Sequence, residues 1–302
     1  MTVASDGAGG ERHSEVDDAT LISDPHELAV AEARNALRQY EVGISILDRW
    51  LAPPKRSFNL RISELLMLNR AALEGVSVGA GVFRAQAIRI SNSAHQPPDP
   101  TDVPELIEDF CEYINTNFSE KSALHLAGYA LWRLNWIHPF VDGNGRTSRI
   151  VSYIILAAKL GYRLPGTRTI PEQISENKSP YYKCLEDADL AFESSVIDVS
   201  GFEKLLAGYL ARQLLDVHDA AKGDPDIERH PLVKHEDLSA NVEYRYTDGA
   251  YAPRYKGSIE ATLKTAKELD KNWIERNPAF VTAIATLAAS VIGGLLTYVF
   301  AK

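Results

Sequence analysis

Two apolar helical stripes, 119–137 and 146–160, are joined by His138-Pro139-Phe140-Val141-Asp142-Gly143-Asn144-Gly145, and this join constrains the chain more than any other stretch. In the first stripe Leu124, Ala127, Leu131 and Leu134 fall on one side, flanked by Trp132 and Trp136. In the second, Ile150, Tyr153, Ile154 and Ala157 do the same, and Gly161 supplies a stop. Between them Gly143 and Gly145 let the backbone turn tightly and aim its amides inward with no Cβ in the way.

More helices are expected around this pair, so the body reads as mainly α. Asp24-Pro25-His26-Glu27 supplies a cap, a first-turn proline and a capping-box acid for a helix that runs to Leu51 and ends at Pro53-Pro54. Further helical patterns cover 62–73, 103–118 with Asp102 as its cap, 172–192 and 199–217. Glycines beside β-branched residues over 75–84, followed by alternation over 85–90, predict a small β-hairpin flap. His95-Gln96-Pro97-Pro98-Asp99-Pro100 reads as a rigid connector. Residues 1–23, rich in Gly, Ser, Asp and Glu, predict a disordered leader, leaving 24–218 as the folded body and 219–278 as a tether with a polar helix.

The net charge of −9 over 302 residues gives no basic field to attract nucleic acid, while a small nucleotide needs only a local positive pocket. Cys111 and Cys184 lie far apart without metal-ligand spacing and read as reduced thiols. No apolar run follows basic residues at the N-terminus, which argues against a cleaved secretory signal. From Ala279 to Ala301 there is no charged residue, and such a run is long enough to cross a hydrocarbon core of about 30 Å. It predicts a C-terminal transmembrane helix over 279–301. Lys264, Lys267, Lys271 and Arg276 precede it and only Lys302 follows, which places the body in the cytoplasm as a single-pass anchored protein. Ala285, Ala289, Gly293 and Thr297 form a small-residue ridge on which two copies could pack as a homodimer.

The loop between the stripes holds the chemistry. Its amides precede a helix N-terminus, where free N–H groups and the positive dipole end favour anions. Arg146 and Arg149, three apart on the first turn, suit phosphate oxygens. Asp142 is a carboxylate beside that cradle, the position a Mg²⁺ ligand needs, and His138 is the one group in the loop able to take a proton near neutral pH. Each part alone is an ordinary turn or a solvated helix face. Their joint spacing is what points to a base, a metal carboxylate and a phosphate clamp.

At this point the chain resembles the Fic (Fido) family, whose signature HPFx(D/E)GNGRxxR is matched at every fixed position by HPFVDGNGRTSR, His138 to Arg149. Gly81-Val82-Phe83-Arg84 is similar to the family's flap, and the stretch Asn177 to Tyr182 with Leu185 resembles the helix that lines its adenine pocket. The resemblance implies a Fic-type helical bundle and a protein adenylyltransferase with ATP as substrate and Mg²⁺ as cofactor. In it His138 deprotonates a Ser, Thr or Tyr hydroxyl of a target protein, which then attacks the α-phosphate. Asp142 holds the metal. Gly143, Asn144, Gly145, Arg146, Thr147, Ser148 and Arg149 surround the phosphates, and Tyr181 and Tyr182 meet the adenine. Phe83, Arg84, Ala85 and Gln86 belong to a flap that aligns the target by strand addition. Other chemistries known on this fold, AMP removal or UMP or phosphocholine transfer, are the alternatives, as is an inactive membrane-anchored scaffold.

Many relatives also carry an inhibitory helix whose Glu pairs with the second motif arginine. Here Arg34-Asn35 stands where a Glu-Asn pair is expected, which implies that the usual clamp is missing or shifted, with Glu32, Glu41 and Glu74 as its substitutes. Tyr244, Tyr246, Tyr251 and Tyr255 in the tether read as self-modification candidates.

Overall fold

The computed structural model describes residues 12–15, 20–52, 57–166, 168–222, 246–247 and 250–251. Packing divides the chain into two units, Met1–Arg163 with Ile174–Leu206, and Leu164–Gln173 with Ala207–Lys302.

The first unit is built on two central helices, α4 (Ala123–Ile137) and α5 (Asn144–Leu160). Both are apolar on most faces, so neither could stand at a surface. α1 (Pro25–Leu51) and α2 (Ile62–Leu73) pack together and against α5, while α3 (Val103–Asn117) and α7 (Ser179–Phe192) pack against α4. Leu126, Ala127, Leu131, Val151 and Ile155 are wholly buried between the central pair and its neighbours. Ser152 Oγ donates to the Ala127 carbonyl at 2.9 Å, satisfying a hydroxyl in that contact. Near one end Tyr129 stacks on Tyr113 at 3.9 Å and meets Trp132 edge-on.

Helix boundaries follow the local chemistry. Asp24 accepts from the Glu27 N–H at 2.8 Å, and Ser122 accepts from the His125 N–H at 3.0 Å, so α1 and α4 start at side-chain caps. Gly161 closes α5 in the left-handed region. The single helix expected over 172–192 is two, α6 (Ile170–Glu176) and α7, because Pro180 lacks an N–H and suits only a first turn. Asp102 makes no cap bond to α3. The capping carboxylate is Asp99, which accepts from Thr101 at the head of a short 3-10 turn leading into that helix.

The flap turns over 78–81 and is irregular beyond Phe83, and no hairpin forms within it among the described residues. Its one strand, β2 (Arg89–Ile90), pairs antiparallel with β1 (Ser14–Glu15) from the N-terminal segment. The alternation over 85–90 is therefore matched by a partner distant in sequence, not by a return within the flap. That partner comes from within the expected leader, because an open strand edge offers its backbone a pairing.

In the second unit Gln213 donates to the Pro165 carbonyl at 2.8 Å and accepts from the Ile170 N–H, while Gln173 donates to the Tyr209 carbonyl at 2.9 Å. α8 (Ser200–Lys222) outlasts its expected end, and β3 (Tyr246–Thr247) pairs antiparallel with β4 (Ala250–Tyr251). Among the described residues no helix is long and apolar enough to cross a membrane. The expected membrane helix at 279–301 and the polar helix at 258–275 lie outside the described residues.

Candidate functional site

His138 is the C-cap of α4 and takes the left-handed conformation (φ 50°, ψ 59°). That conformation is unfavourable for a residue with a Cβ and persists only where the surroundings fix it. Arg84 does so. Its guanidinium is buried and donates to the carbonyls of His138 (2.7 Å), Ile137 (3.3 Å), Pro98 (2.7 Å) and Gln86 (3.2 Å). Arg84 is thus a brace of the turn rather than a target-binding side chain. Its neighbour Phe83 lies against Phe140 at 5.7 Å, and only Ala85 and Gln86 of the four expected flap residues face solvent.

The imidazole is oriented from behind. Nδ1 lies 3.3 Å from the Asn135 carbonyl, which can only accept, so Nδ1 carries the proton and Nε2 keeps a lone pair. The hydroxyl of Ser14 in β1 lies 2.9 Å from that Nε2. Asn135 is itself held: its amide donates to Ser148 Oγ and to the Tyr181 hydroxyl, both at 2.8 Å.

The loop beyond His138 is shaped by two more asparagines. Asn144 accepts from the Phe140 N–H and donates to the Phe140 carbonyl, at 2.9 and 2.8 Å, so one side chain replaces a missing backbone ladder. Asn69 on α2 donates to the Asp142 carbonyl at 3.0 Å and accepts from the Gly81 N–H at 2.9 Å, tying loop and flap to one buried amide. Gly143 follows with φ 74°, and a Cβ there would lie 3.0 Å from Asn69 Nδ2 and 3.2 Å from Leu73 Cδ1. Glycine is needed for conformation and for space. α5 then begins, with the first N–H groups of its turn beyond the reach of any intrahelical acceptor.

Asp142 accepts from the Gly143 N–H at 2.5 Å and from Arg146 at 2.7 Å. Arg146 also donates to Glu32 on α1 at 3.1 Å, so two carboxylates share the guanidinium where phosphate oxygens are expected. Glu74 instead pairs with Arg38, and Arg34 is exposed. Of these acids, Glu32 is the one that meets a motif arginine, the first and not the second.

Several expected nucleotide contacts turn inward. Asn144, Thr147 and Ser148 are buried and serve the loop and core, leaving only their backbone to face a ligand. Tyr181 is buried too, and burial raises its phenol pKa, so it is a core residue. Tyr182 is partly accessible, and its ring lies 4.5 Å beneath the Arg12 guanidinium. Asn69 and Asn135 were not foreseen; the signal was a lone amide inside an apolar helical run, at Leu68-Asn69 and Leu134-Asn135.

Among the described residues no cluster of three or more His, Cys, Asp or Glu could hold a metal by itself. Mg²⁺ takes one or two carboxylates and completes its shell with phosphate oxygens and water. Asp142 is part-exposed and keeps acceptor capacity beyond its two bonds, so it fits that role.

Burial lowers the His138 pKa to about 4; the Asn135 carbonyl and Asp142 oppose the shift, and His95 and Arg84 add to it. The imidazole is thus neutral across the physiological range, as a base must be. An unfolded chain protonates this histidine below about pH 6.5, whereas the folded one does so only near 4, so stability falls as pH drops through that window, by on the order of 3 kcal/mol. Urea melts across that range should show the loss in wild type and a smaller loss in His138→Gln.

The Fic/DOC family model matches residues 57–156. Over 138 residues the chain is 35% identical to the protein adenylyltransferase Fic of Drosophila willistoni and 36% identical to that of Drosophila melanogaster. Each match covers 44% of this chain and 26% of the relative, so it spans about a quarter of those relatives' length. A Fic domain containing signaling protein from Bacteroides thetaiotaomicron shares the fold, with a TM-score of 0.51 at 22% identity, over 63% of this chain and 73% of that one. The stretch similar to the Fic/DOC family, residues 57–156, contains the whole loop and helix start from His138 to Arg149.

Proposed function

We propose that this chain transfers AMP from ATP to hydroxyl side chains of proteins and releases pyrophosphate. One observation supports the reading most: His138 keeps an Nε2 lone pair, fixed by the Asn135 carbonyl, beside the α5 N-terminus that carries Arg146 and Arg149. A base for the acceptor hydroxyl and an anion cradle for the triphosphate then sit at one turn.

In this mechanism Nε2 of His138 takes the hydroxyl proton as the oxygen attacks the α-phosphorus. The amides of the first turn of α5 and Arg146 bear the phosphate charge, and Arg149 engages the γ-phosphate. Bound at Asp142, Mg²⁺ would neutralise the triphosphate. Tyr182 meets the adenine from the side that Arg12 leaves uncovered, and the edge of β2 receives the target backbone, a mode that reads little side-chain sequence. The name carried by the Drosophila relatives supports the same chemistry. Glu32 restrains it by holding Arg146, as a shifted inhibitory acid. We further propose that 279–301, which has no charged residue, anchors the chain in a membrane with its body on the cytoplasmic side.

Three outcomes follow. Protein should be labelled from α-labelled and not γ-labelled ATP, and His138→Ala should lower the rate by about 10²-fold or more; labelling from the γ position would show phosphotransfer instead. Glu32→Gly should raise the α-label by about fivefold, since a partly exposed ion pair contributes about 1 kcal/mol, while Glu41→Gly and Glu74→Gly stay at the wild-type level. In cells, carbonate-washed membranes should retain the full chain, and its recovery in the supernatant would dismiss the anchor.

A further inference from the structure

The base of the proposed reaction already faces a hydroxyl of its own chain. Residues 12–15 lie along the flap as an added strand, with Ser14 opposite Ile90 and Glu15 opposite Arg89. The pairing extends one residue further: the Ser91 N–H donates to the His13 carbonyl at 2.9 Å, and the His13 N–H donates to Ser91 Oγ at 2.9 Å. Successive side chains of a strand point to opposite sides, so His13 is exposed while Ser14 turns inward, to 2.9 Å from His138 Nε2.

Two anchors hold this register. Upstream, the Arg12 guanidinium lies 4.5 Å over the Tyr182 ring and pairs with Glu186, while its backbone N–H donates to the Tyr182 hydroxyl at 3.2 Å. Downstream, Thr20 bridges to Ser77 and the Leu21 N–H donates to the Val76 carbonyl at 2.8 Å. The segment is thereby fixed on both sides of Ser14. A tethered acceptor of this kind competes at millimolar effective concentration with any free peptide for the same edge.

We propose that Ser14 is an AMP acceptor within its own chain, and that residues 12–15 are a built-in substrate segment for the flap. The proposal rests on the adenylyl-transfer reading above. Ser14 Oγ gives its proton to His138 Nε2 and forms a bond to the α-phosphorus of ATP. The bond from that phosphorus to the oxygen bridging to the β-phosphorus breaks, and pyrophosphate leaves with the electron pair. The products are an adenylylated Ser14, pyrophosphate and one proton. A bulky anionic ester on Ser14 no longer fits the hydrogen bond to Nε2, so modification releases the strand and opens the edge to outside targets.

The test is to incubate the full chain with ATP and Mg²⁺, measure pyrophosphate release, and locate AMP by mass spectrometry of the tryptic peptide that begins at His13. Fragmentation separates Ser14 from Thr20 and Ser23. The expected result is AMP on Ser14, lost in His138→Ala and retained in Ser14→Thr, with total α-label at least about tenfold lower in Ser14→Ala. AMP on other residues, with Ser14→Ala labelled as strongly as wild type, overturns the proposal and leaves adenylyl transfer standing. Transfer to an added acceptor protein that rises in Ser14→Ala, with Ser14 never labelled, overturns it too and makes the segment a plug. If no variant shows His138-dependent pyrophosphate release, the adenylyl-transfer reading fails and this inference with it.

Discussion

The buried guanidinium of Arg84 gathers the carbonyls of Gln86, Pro98, Ile137 and His138 around one positive charge. Burial lowers its pKa while leaving it protonated, and Asp99 offsets part of the cost. A charge so placed is tolerated only because its donors meet acceptors in good geometry. Those bonds hold three otherwise independent segments together: the flap, the proline-rich connector and the end of α4. They also fix His138 in a left-handed turn, so α4 stops there and the imidazole swings toward the start of α5.

A second set of polar groups sets what lies around that imidazole. Asn69 and Asn144 satisfy backbone groups that the loop leaves without a helical partner, and Asn135 ties the end of α4 to Ser148 and Tyr181. Leaving such a buried group unpaired costs about 1–3 kcal/mol, so these amides determine the loop conformation as much as the glycines permit it. The exposed side of the same loop is different in kind. There Asp142, Glu32 and Arg146 form an ionic cluster in part-exposed positions, where single pairs are weak. A rigid interior thus carries an adaptable rim.

The flap joins these two features to the N-terminal segment. β2 leaves one edge open, and an open edge is stable only when something pairs with it or covers it. In this fold the chain supplies that partner from more than seventy residues upstream, by two backbone-paired residues and the Arg12 contact with Tyr182. Little apolar surface is involved, so the attachment is local and reversible in character.

Much of this was legible in the residues. The helical stripes placed α1, α2, α3 and α5 within a residue or two of their ends, because burial against neighbours enforces the 3.6-residue period already present in the sequence. The turn from His138 through Gly143 into α5 was readable because a helix stop, a tight glycine turn and a helix start lie close in sequence. Arg84 turning inward, Thr147, Ser148 and Tyr181 joining the core, and β1 pairing with β2 were not readable. Each depends on which distant backbone group lacks a partner, and that is known only once α2, α4, α5 and α7 have packed. The amino-acid order set which groups the loop carries; the tertiary structure decided which of them are buried and brought Ser14 to His138, since hydrogen bonds between remote segments leave no periodic trace in either one.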